Sequence, residues 1–294
     1  SNRLEIANRL ARNNPNWNGG VNDTTGFPNG YGPTSQDVLI PAFMAAYAGW
    51  DPSGSGLNPF LKIPMPSWRL TYDGLSRIPA LLKYFQSITI GHAYRSTFNI
   101  GSFSSDIRYR ELDGYQSARD MVTGNYIAEN EIAQVSIAEQ FNPLINIDIN
   151  WKNSLITRFE YRKSRNIALS FANNQITDVS SNEIIIGGGY RLKDIAFNVV
   201  QSGGGRQRVQ SDLVLRLDIS IRENRTVLRK LVEEVDQIST GQQIVAINTS
   251  AEYQLSQRMM FRFFFDRTIN NPFVSNQFPN TNTHGGFSLR FMLM

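Results

Sequence analysis

Apolar and polar residues alternate along several segments that follow Trp68. Between residues 87 and 101, one parity carries Ile88, Ile90 and Phe98, and the other carries Arg95 and Asn99. The pattern recurs over residues 145–152, 212–222, 245–255 and 287–293. Because successive side chains leave a β-strand on opposite sides, this alternation predicts strands with one apolar and one polar face.

The alternating segments are long and carry their charges on one parity. Several exceed the five or six residues of an average strand and match the 9–11 residues that cross a bilayer. Aromatic residues lie near the predicted strand ends, where the interfaces of a membrane would place them: Trp68, Tyr72, Trp151, Tyr161 and Tyr190. We therefore predict an all-β fold, an antiparallel transmembrane β-barrel wall. A soluble β-sandwich, which also alternates, is the alternative.

We expect two regions: an irregular segment over residues 1–66 and a barrel segment over residues 67–294 that ends at the C-terminus of the barrel. The second should hold about eleven strands, near residues 68–75, 87–101, 131–139, 144–151, 154–163, 166–176, 183–192, 211–222, 242–255, 258–267 and 287–294.

Connections and short helices can also be predicted. With a periplasmic C-terminus, residues 255–258 form a tight periplasmic turn, and residues 225–241 and 269–285 form external loops. Residues 1–66 are rich in Asn, Gly and Pro, with short helices predicted over 4–12 and Gln36–Ala48, the second capped by Ser35 and ended by Gly49. A short interfacial helix is expected over 77–86, whereas 226–238 fits a helix or a strand extension.

The two parities predict two environments. We expect the apolar set to face lipid: Ile88, Ile90, Phe98, Ile147, Leu215, Ile219, Ile247, Leu289 and Phe291. We expect the polar set to line a water-filled pore: Arg95, Thr97, Asn99, Asp148, Asn150, Lys152, Arg216, Asp218, Arg222, Glu252, Arg262 and Arg290. The physical reason is that a charge on the lipid face costs about 2–4 kcal/mol at the bilayer midplane.

Composition agrees with this prediction and narrows the function classes. Charged residues make up 18% of the 294 residues, below the quarter that is typical of soluble proteins, and cysteine is absent. Disulfides and thiolate metal sites are therefore excluded. The formal net charge of +4 comes from Lys and Arg scattered among acidic residues, which does not indicate nucleic-acid binding.

Candidate catalytic and ligand-binding residues are few. His92 and His284 are the two histidines, and neither has a Ser or Asp partner at a motif spacing, so an enzyme is disfavoured. The glycine runs at Gly187–Gly189 and Gly203–Gly205 lack the residues of a phosphate-binding loop. Asp148 and Asn150 share a face and could touch Ca²⁺, but two such groups do not make a site. We predict no catalytic residue, metal or cofactor.

Several blocks resemble a known family. Residues 26–52 (GFPNGYGPTSQDVLIPAFMAAYAGWDP) and 66–103, beginning PSWRLTYDGLSRIPALLKYFQ, resemble consecutive blocks of SprA, called Sov in some members. Residues 143–177 and 222–294, with FFFDR at 263–267 and NTHGGFSLRF at 282–291, extend the match over nearly the whole chain. Family members are many times longer, and the match corresponds to their C-terminal portion. The resemblance therefore implies that the predicted wall is part of a much larger barrel.

The resemblance implies a function. SprA-like proteins are the outer-membrane translocons of the type 9 secretion system, wide barrels that conduct folded proteins. The implied partners are the remainder of the translocon, a FadL-family barrel protein of the PorV type, a periplasmic plug protein, membrane lipid and cargo with a C-terminal signal domain. The implied location is the bacterial cell outer membrane. The alternative is a complete small barrel that acts as a porin or a hydrophobic-solute transporter.

Overall fold

A computed structural model describes residues 2–54, 65–200, 206–256, 259–274 and 277–291. The chain is mostly antiparallel β-sheet, with 62% of its residues in strands and 11% in helices. The two helices are α1 (Asn2–Asn13) and α2 (Gln36–Ala48), and a 3₁₀ helix covers Gly74–Arg77. The strands are β1 (Ser67–Tyr72), β2 (Phe85–Ser105), β3 (Glu111–Leu112), β4 (Tyr115–Gln116), β5 (Asn130–Trp151), β6 (Leu155–Ser170), β7 (Gln175–Val200), β8 (Arg206–Lys230), β9 (Val235–Ser256), β10 (Met259–Pro272) and β11 (Asn280–Phe291).

Nine of these strands form one sheet in the order β1-β2-β5-β6-β7-β8-β9-β10-β11, and β3 with β4 forms a separate hairpin. Every neighbouring pair is antiparallel. The antiparallel all-β prediction is therefore confirmed. Within the described residues β1 and β11 are edge strands that do not pair with each other, so closure into a barrel stays a prediction.

The predicted break between strands at 131–139 and 144–151 is wrong, because β5 runs through both. The pairing of β5 with β6 shifts between Phe141 and Ile145, around Asn142 and Pro143. Proline cannot donate to a strand ladder, so it is tolerated at such an irregularity, where no ladder bond is required of it. Pro143 therefore lies at a bulge, and β5 passes through this bulge without reversing its direction.

The second predicted break, between 154–163 and 166–176, is also wrong. Strand β6 continues to Ser170, and the chain reverses at residues 171–174. Together these two corrections reduce the predicted eleven strands of the sheet to the nine observed among the described residues, and they reverse the expected directions of residues 144–151 and 154–163.

Of the other local predictions, some are confirmed and others are wrong. The helices predicted over 4–12 and Gln36–Ala48 are confirmed, and Gly49 ends α2 with φ +67°. The helix predicted over 77–86 is wrong: turns follow Gly74–Arg77 and β2 begins at Phe85. Residues 226–238 extend β8 and β9 around a turn. The loop predicted over 269–285 is largely strand, belonging to β10 and β11. The turn expected at 255–258 falls partly outside the described residues, and the glycine run at Gly203–Gly205 lies wholly outside them.

Helix α2 covers one end of the sheet. Its residues Leu39, Ile40, Phe43 and Met44 form a buried cluster with strand residues from β5 and β6, namely Val135, Ile137, Ile167 and Leu169. Gln36 fixes the start of the helix to β5, because its side chain donates to the Asn130 carbonyl and accepts from the Ile132 N–H, both at 2.7 Å. We name this end of the sheet the capped end, and the end at Phe85, Trp151, Leu155 and Tyr190 the open end.

A second cluster joins residues 2–54 to the connection between β2 and β5. Ala7 and Ala11 of α1 pack with Tyr31, Val38 and Tyr126. The Asn14 side chain donates to the Tyr31 hydroxyl at 2.9 Å and to the Gln116 carbonyl at 3.1 Å. The irregular N-terminal region thus lies at the capped end, with its own small core.

Candidate functional site

The strand register assigns each side chain to one of two faces. Side chains of directly paired residues point to the same side of an antiparallel sheet. One row of paired residues crosses six strands and consists of Ile90, Ile147, Phe159, Ile186, Ile219 and Ile247. We call the side that carries this row the apolar face.

The opposite side is the polar face. One of its rows runs through Thr89, Asp148, Arg158, Gly187, Asp218, Asn248, Asp266 and His284. The contrast between adjacent rows explains the alternation along the sequence, because a shift of one residue along any strand moves to the other face.

The residues predicted to face lipid all lie on the apolar face. Ile147, Leu215, Ile219 and Ile247 lie in its central strands, and Leu289 and Phe291 are exposed on β11. Two of the predicted residues do not have the expected exposure. Phe98 packs under α2, and Ile88 is only 6% exposed. For these two, the prediction of direct contact with lipid is wrong, because other parts of the chain cover them.

The predicted pore-lining residues lie on the polar face, with one exception. Those in strands are Arg95, Thr97, Asn99, Asp148, Asn150, Arg216, Asp218, Arg222, Glu252, Arg262 and Arg290. Lys152 lies in the turn that follows β5, outside any strand. That this face lines a pore stays a prediction.

An aliphatic band crosses the apolar face between two sets of aromatic rings. Ile145, Ile147 and Ile149 of β5 lie between Phe141 and Trp151. Towards the capped end, Phe141 packs against Tyr94 with ring centroids 4.7 Å apart, and Tyr94 packs against Trp68 at 4.6 Å, with the rings tilted in both pairs. Towards the open end, Trp151 packs on Phe85 at 4.5 Å. Aromatic girdles that flank an outward apolar band are a feature of outer-membrane barrels.

The band is continuous on the strands that follow. On β8 it runs from Leu213 to Ile221, and Glu223 is the next residue on this face towards the capped end. Its central side chains are exposed, with Ile186 57% and Leu217 44% accessible. Soluble monomers rarely expose a contiguous apolar surface of this extent, so it requires a covering medium or partner.

The band runs obliquely across the sheet. Its boundary towards the capped end lies at Tyr94 on β2, and the paired row that begins at Tyr94 reaches Asn271 on β10. On β7, β8 and β9 the aliphatic side chains end at Ile184, Ile221 and Val245, each two residues nearer to the open end than this row, and on β10 Arg267 interrupts the apolar side chains between Phe265 and Ile269. Strands β7, β8 and β9 lie three, four and five strand steps from β2.

This offset measures the angle between the strands and the band. Two residues over three to five strand steps, with ~3.4 Å per residue and ~4.8 Å between strands, give a strand tilt of about 15–25° relative to the normal of the band. Transmembrane barrel strands tilt by about 35–45°. The boundary of the band on these strands therefore gives a smaller tilt than transmembrane barrel strands have.

A ladder of charged groups crosses the polar face of β6, β7 and β8. Arg158 and Arg162 both bind Glu160, at 3.1 and 2.6 Å. Arg162 also reaches Glu183 at 3.3 Å, and Arg222 binds the same carboxylate through Nε and Nη2, at 3.1 and 2.7 Å. Sequence reasoning found Arg222 but missed the rest. The alternation of Arg158, Glu160 and Arg162 was the available signal, but the partner Glu183 depends on the register of β7.

The remaining candidates from the sequence are the two histidines, Asp148 and Asn150. His92 lies on the apolar face with its ring Nδ1 2.6 Å from the Leu144 carbonyl oxygen. His284 lies in β11 on the polar face, paired with Asp266 and beside the Phe264 ring. Asp148 accepts from the Asn146 amide and Asn150 donates to Ser87, at 2.6 and 2.7 Å. Across the described ranges no group of three or more His, Cys, Asp or Glu side chains could hold a metal ion.

Comparison of the chain with protein-family models and with curated proteins finds no match. Among the residues that the structure describes, no helix is long and apolar enough to span a bilayer.

Proposed function

We propose that this sheet is a section of the wall of an outer-membrane β-barrel translocon that conducts folded proteins. The apolar face contacts lipid and the polar face contacts the water of the conduit. The observation that carries the membrane part is the exposed aliphatic band on one face of the sheet, with aromatic rings on both of its sides along the strands. The assignment to protein secretion of the SprA/Sov type, in the bacterial outer membrane, comes from the sequence resemblance.

The band also has the height that a membrane requires. On β8 it spans nine residues, Leu213 to Ile221, which is ~30 Å along the strand and would be ~25 Å tall at the tilt of about 35° that barrel strands have. The outward apolar band of transmembrane barrels is about 25 Å tall. Strands β5, β7 and β8 contain 22, 26 and 25 residues, so each extends well beyond this band. The wall would therefore continue outside the membrane at the capped end, where α2 covers it.

No catalytic residue, cofactor or nucleic-acid partner belongs to this proposal. Its partners are the remaining barrel strands, membrane lipid, cargo with a C-terminal signal domain, and the PorV-type and plug proteins that the resemblance implies. A folded cargo requires a much wider opening than nine strands can enclose, so the proposal needs the remainder of the translocon polypeptide.

Cysteine labelling in whole cells tests which face meets water. The chain contains no cysteine, so each introduced thiol is unique within it. A water-soluble maleimide should label Arg95→Cys, Arg216→Cys and Asp218→Cys, because these side chains lie on the polar face. It should spare Leu215→Cys and Ile219→Cys, which would lie in lipid. Met121→Cys, in a fully exposed turn at the capped end, serves as the positive control. Labelling of 215 and 219 with protection of 216 and 218 would contradict the assignment of the faces.

A further inference from the structure

Three arginines on the polar face are held by two carboxylates that lie beneath them. Glu160 and Glu183 have side chains only 8% and 9% exposed, against the sheet. The side chains of Arg158, Arg162 and Arg222 are 44%, 35% and 46% exposed. The negative charge is therefore buried, and the guanidinium groups form the surface that meets solvent.

The three arginines retain most of their hydrogen-bonding capacity. Each guanidinium has five N–H donors, which gives fifteen in total. Five hydrogen bonds join the three arginines to Glu160 and Glu183. The carboxylates fix the orientation of the guanidinium planes and leave other N–H groups directed elsewhere. With three positive and two negative charges, the cluster carries a net charge of +1.

Neutral polar groups complete a depression beside the arginines. Ser164, Ser181, Asn142 and Asn224 line it together with Arg162 and Arg222. Hydroxyl and amide groups add donors of the kind that bind a carboxylate or phosphate oxygen. Asp148 and Asp218 lie on either side of Arg158 in its row, and Arg216 is the adjacent polar-face residue on β8, so these three add two negative charges and one positive charge and make the wider patch neutral.

We propose that Arg158, Arg162 and Arg222 form an oxyanion-binding site that takes carboxylate groups of a passing polypeptide. Planar guanidinium groups bind carboxylates and phosphates in a bidentate manner, and prior orientation reduces the entropy lost on binding. The position rests on the proposed function, since the site must face the conduit to meet such a chain. Exposed guanidinium groups bind weakly in water, which suits a conduit because the cargo must leave again.

Binding to the intact polypeptide that contains this chain, purified in a zwitterionic detergent, tests the site. The probes are a hexaglutamate peptide and inorganic phosphate, measured separately at low ionic strength. We expect both to bind, and to bind more weakly as salt is added, because exposed charges are screened. Arg222→Gln and Arg158→Gln should each weaken binding about tenfold, the scale expected for one charge-assisted contact. Each variant leaves Arg162 to pair with both carboxylates, so the sheet should still form.

Arg225→Gln is the matched control, since Arg225 lies on the same strand but on the apolar face. It should bind both probes as the unmodified protein does. Arg222→Lys keeps the charge but loses the planar fork, and should be intermediate. Equal affinity in the Arg222→Gln and Arg225→Gln variants would overturn the proposal, as would binding of phosphate without hexaglutamate. The binding measurement needs neither transport nor membrane orientation. Its result can therefore be interpreted even if the labelling experiment contradicts the proposed function.

Discussion

Asp37 is a titratable side chain placed where its charge is disfavoured. It lies in the first turn of α2, and the Gln116 amide donates to its Oδ2 at 2.8 Å. Burial raises the pKa of the Asp37 carboxyl, and the hydrogen bond from Gln116 opposes that shift only in part. The depression around it also contains Asp106, Arg108, Asp120 and Glu131. The contact between α2 and the β3-β4 hairpin therefore depends on pH.

The sign of the dependence follows from the raised pKa. An acid whose pKa is higher in the folded state binds more protons when folded, so stability falls as pH rises from the unfolded pKa, about 3.9, through the folded pKa. We expect the unfolding temperature of the capped end to be highest at acidic pH. Asp37→Asn should flatten this dependence and raise the unfolding temperature at pH 7, because the amide oxygen still accepts from Gln116.

Thermal unfolding of the intact protein between pH 4 and pH 8 measures this effect. Asp23→Asn is the control, since Asp23 is an exposed aspartate in the same N-terminal region. It should leave the pH profile unchanged. A wild-type protein that becomes more stable as pH rises, by an amount that Asp37→Asn abolishes, would contradict the prediction.

The face of the sheet on which a strand residue lies was predictable from the sequence, because it depends only on parity within a strand. Arg216 and Leu215 lie on opposite faces whatever strand pairs with β8. The contact between Arg162 and Glu183 was not predictable, since it requires the register of β6 against β7. Parity also could not predict that Phe98 and Ile88 are covered, because another element determines whether a face is exposed.

At the scale of elements, α2 joins the N-terminal region to the sheet. Ile40 is 1% exposed and packs in the cluster that contains Val135 and Leu169. Truncation of a buried isoleucine to alanine costs about 2–5 kcal/mol. We expect Ile40→Ala to release α2 from the sheet, so that backbone amides of residues 36–48 exchange hydrogen at least roughly thirtyfold faster.

Hydrogen–deuterium exchange followed by mass spectrometry checks this in the intact protein. Val21→Ala is the control, because Val21 is 52% exposed in the same region and contributes little to packing. Exchange in strands β8 and β9 at the level of the band should not change in either variant. Unaltered exchange over α2 in Ile40→Ala would show that the cluster does not hold the helix.

Predictions of element boundaries depended on local turn signals, and these were ambiguous. Gln36–Ala48 was predictable because Ser35 and Gly49 bracket an apolar segment. The predicted break between 131–139 and 144–151 falls at Asn142 and Pro143, which in β5 lie at a bulge whose pairing the neighbouring strands determine. The predicted break between 154–163 and 166–176 falls near Lys163 and Arg165, which lie on the apolar face of β6 beyond the edge of the aliphatic band, where the strand has left the proposed membrane.

At the scale of the whole molecule, the two edges of the sheet decide what the chain can form. The nine antiparallel strands that the described residues contribute to the sheet leave β1 and β11 running in the same direction, whereas single-chain bacterial barrels close with an even number of strands. Strand β1 has six residues and β11 has twelve, so their unpaired edges also differ in length. The two edges therefore differ in length, and their shared direction does not allow the antiparallel closure that is expected of a small barrel.

We therefore predict that residues 1–294 alone do not form a stable closed barrel. In hydrocarbon each unsatisfied N–H or C=O group costs several kcal/mol, and the part of β11 that carries Phe287, Leu289 and Phe291 exposes several such groups. The sum would exceed the 5–15 kcal/mol by which a typical protein is stable. Refolding the isolated chain into detergent or liposomes should give no compact monomer whose electrophoretic mobility shifts on heating. The intact polypeptide, in which further strands pair with β1 and β11, should show that shift and is the control. A heat-modifiable monomer of the isolated chain would refute the wall-section proposal and favour a complete small barrel that acts as a porin or a hydrophobic-solute transporter.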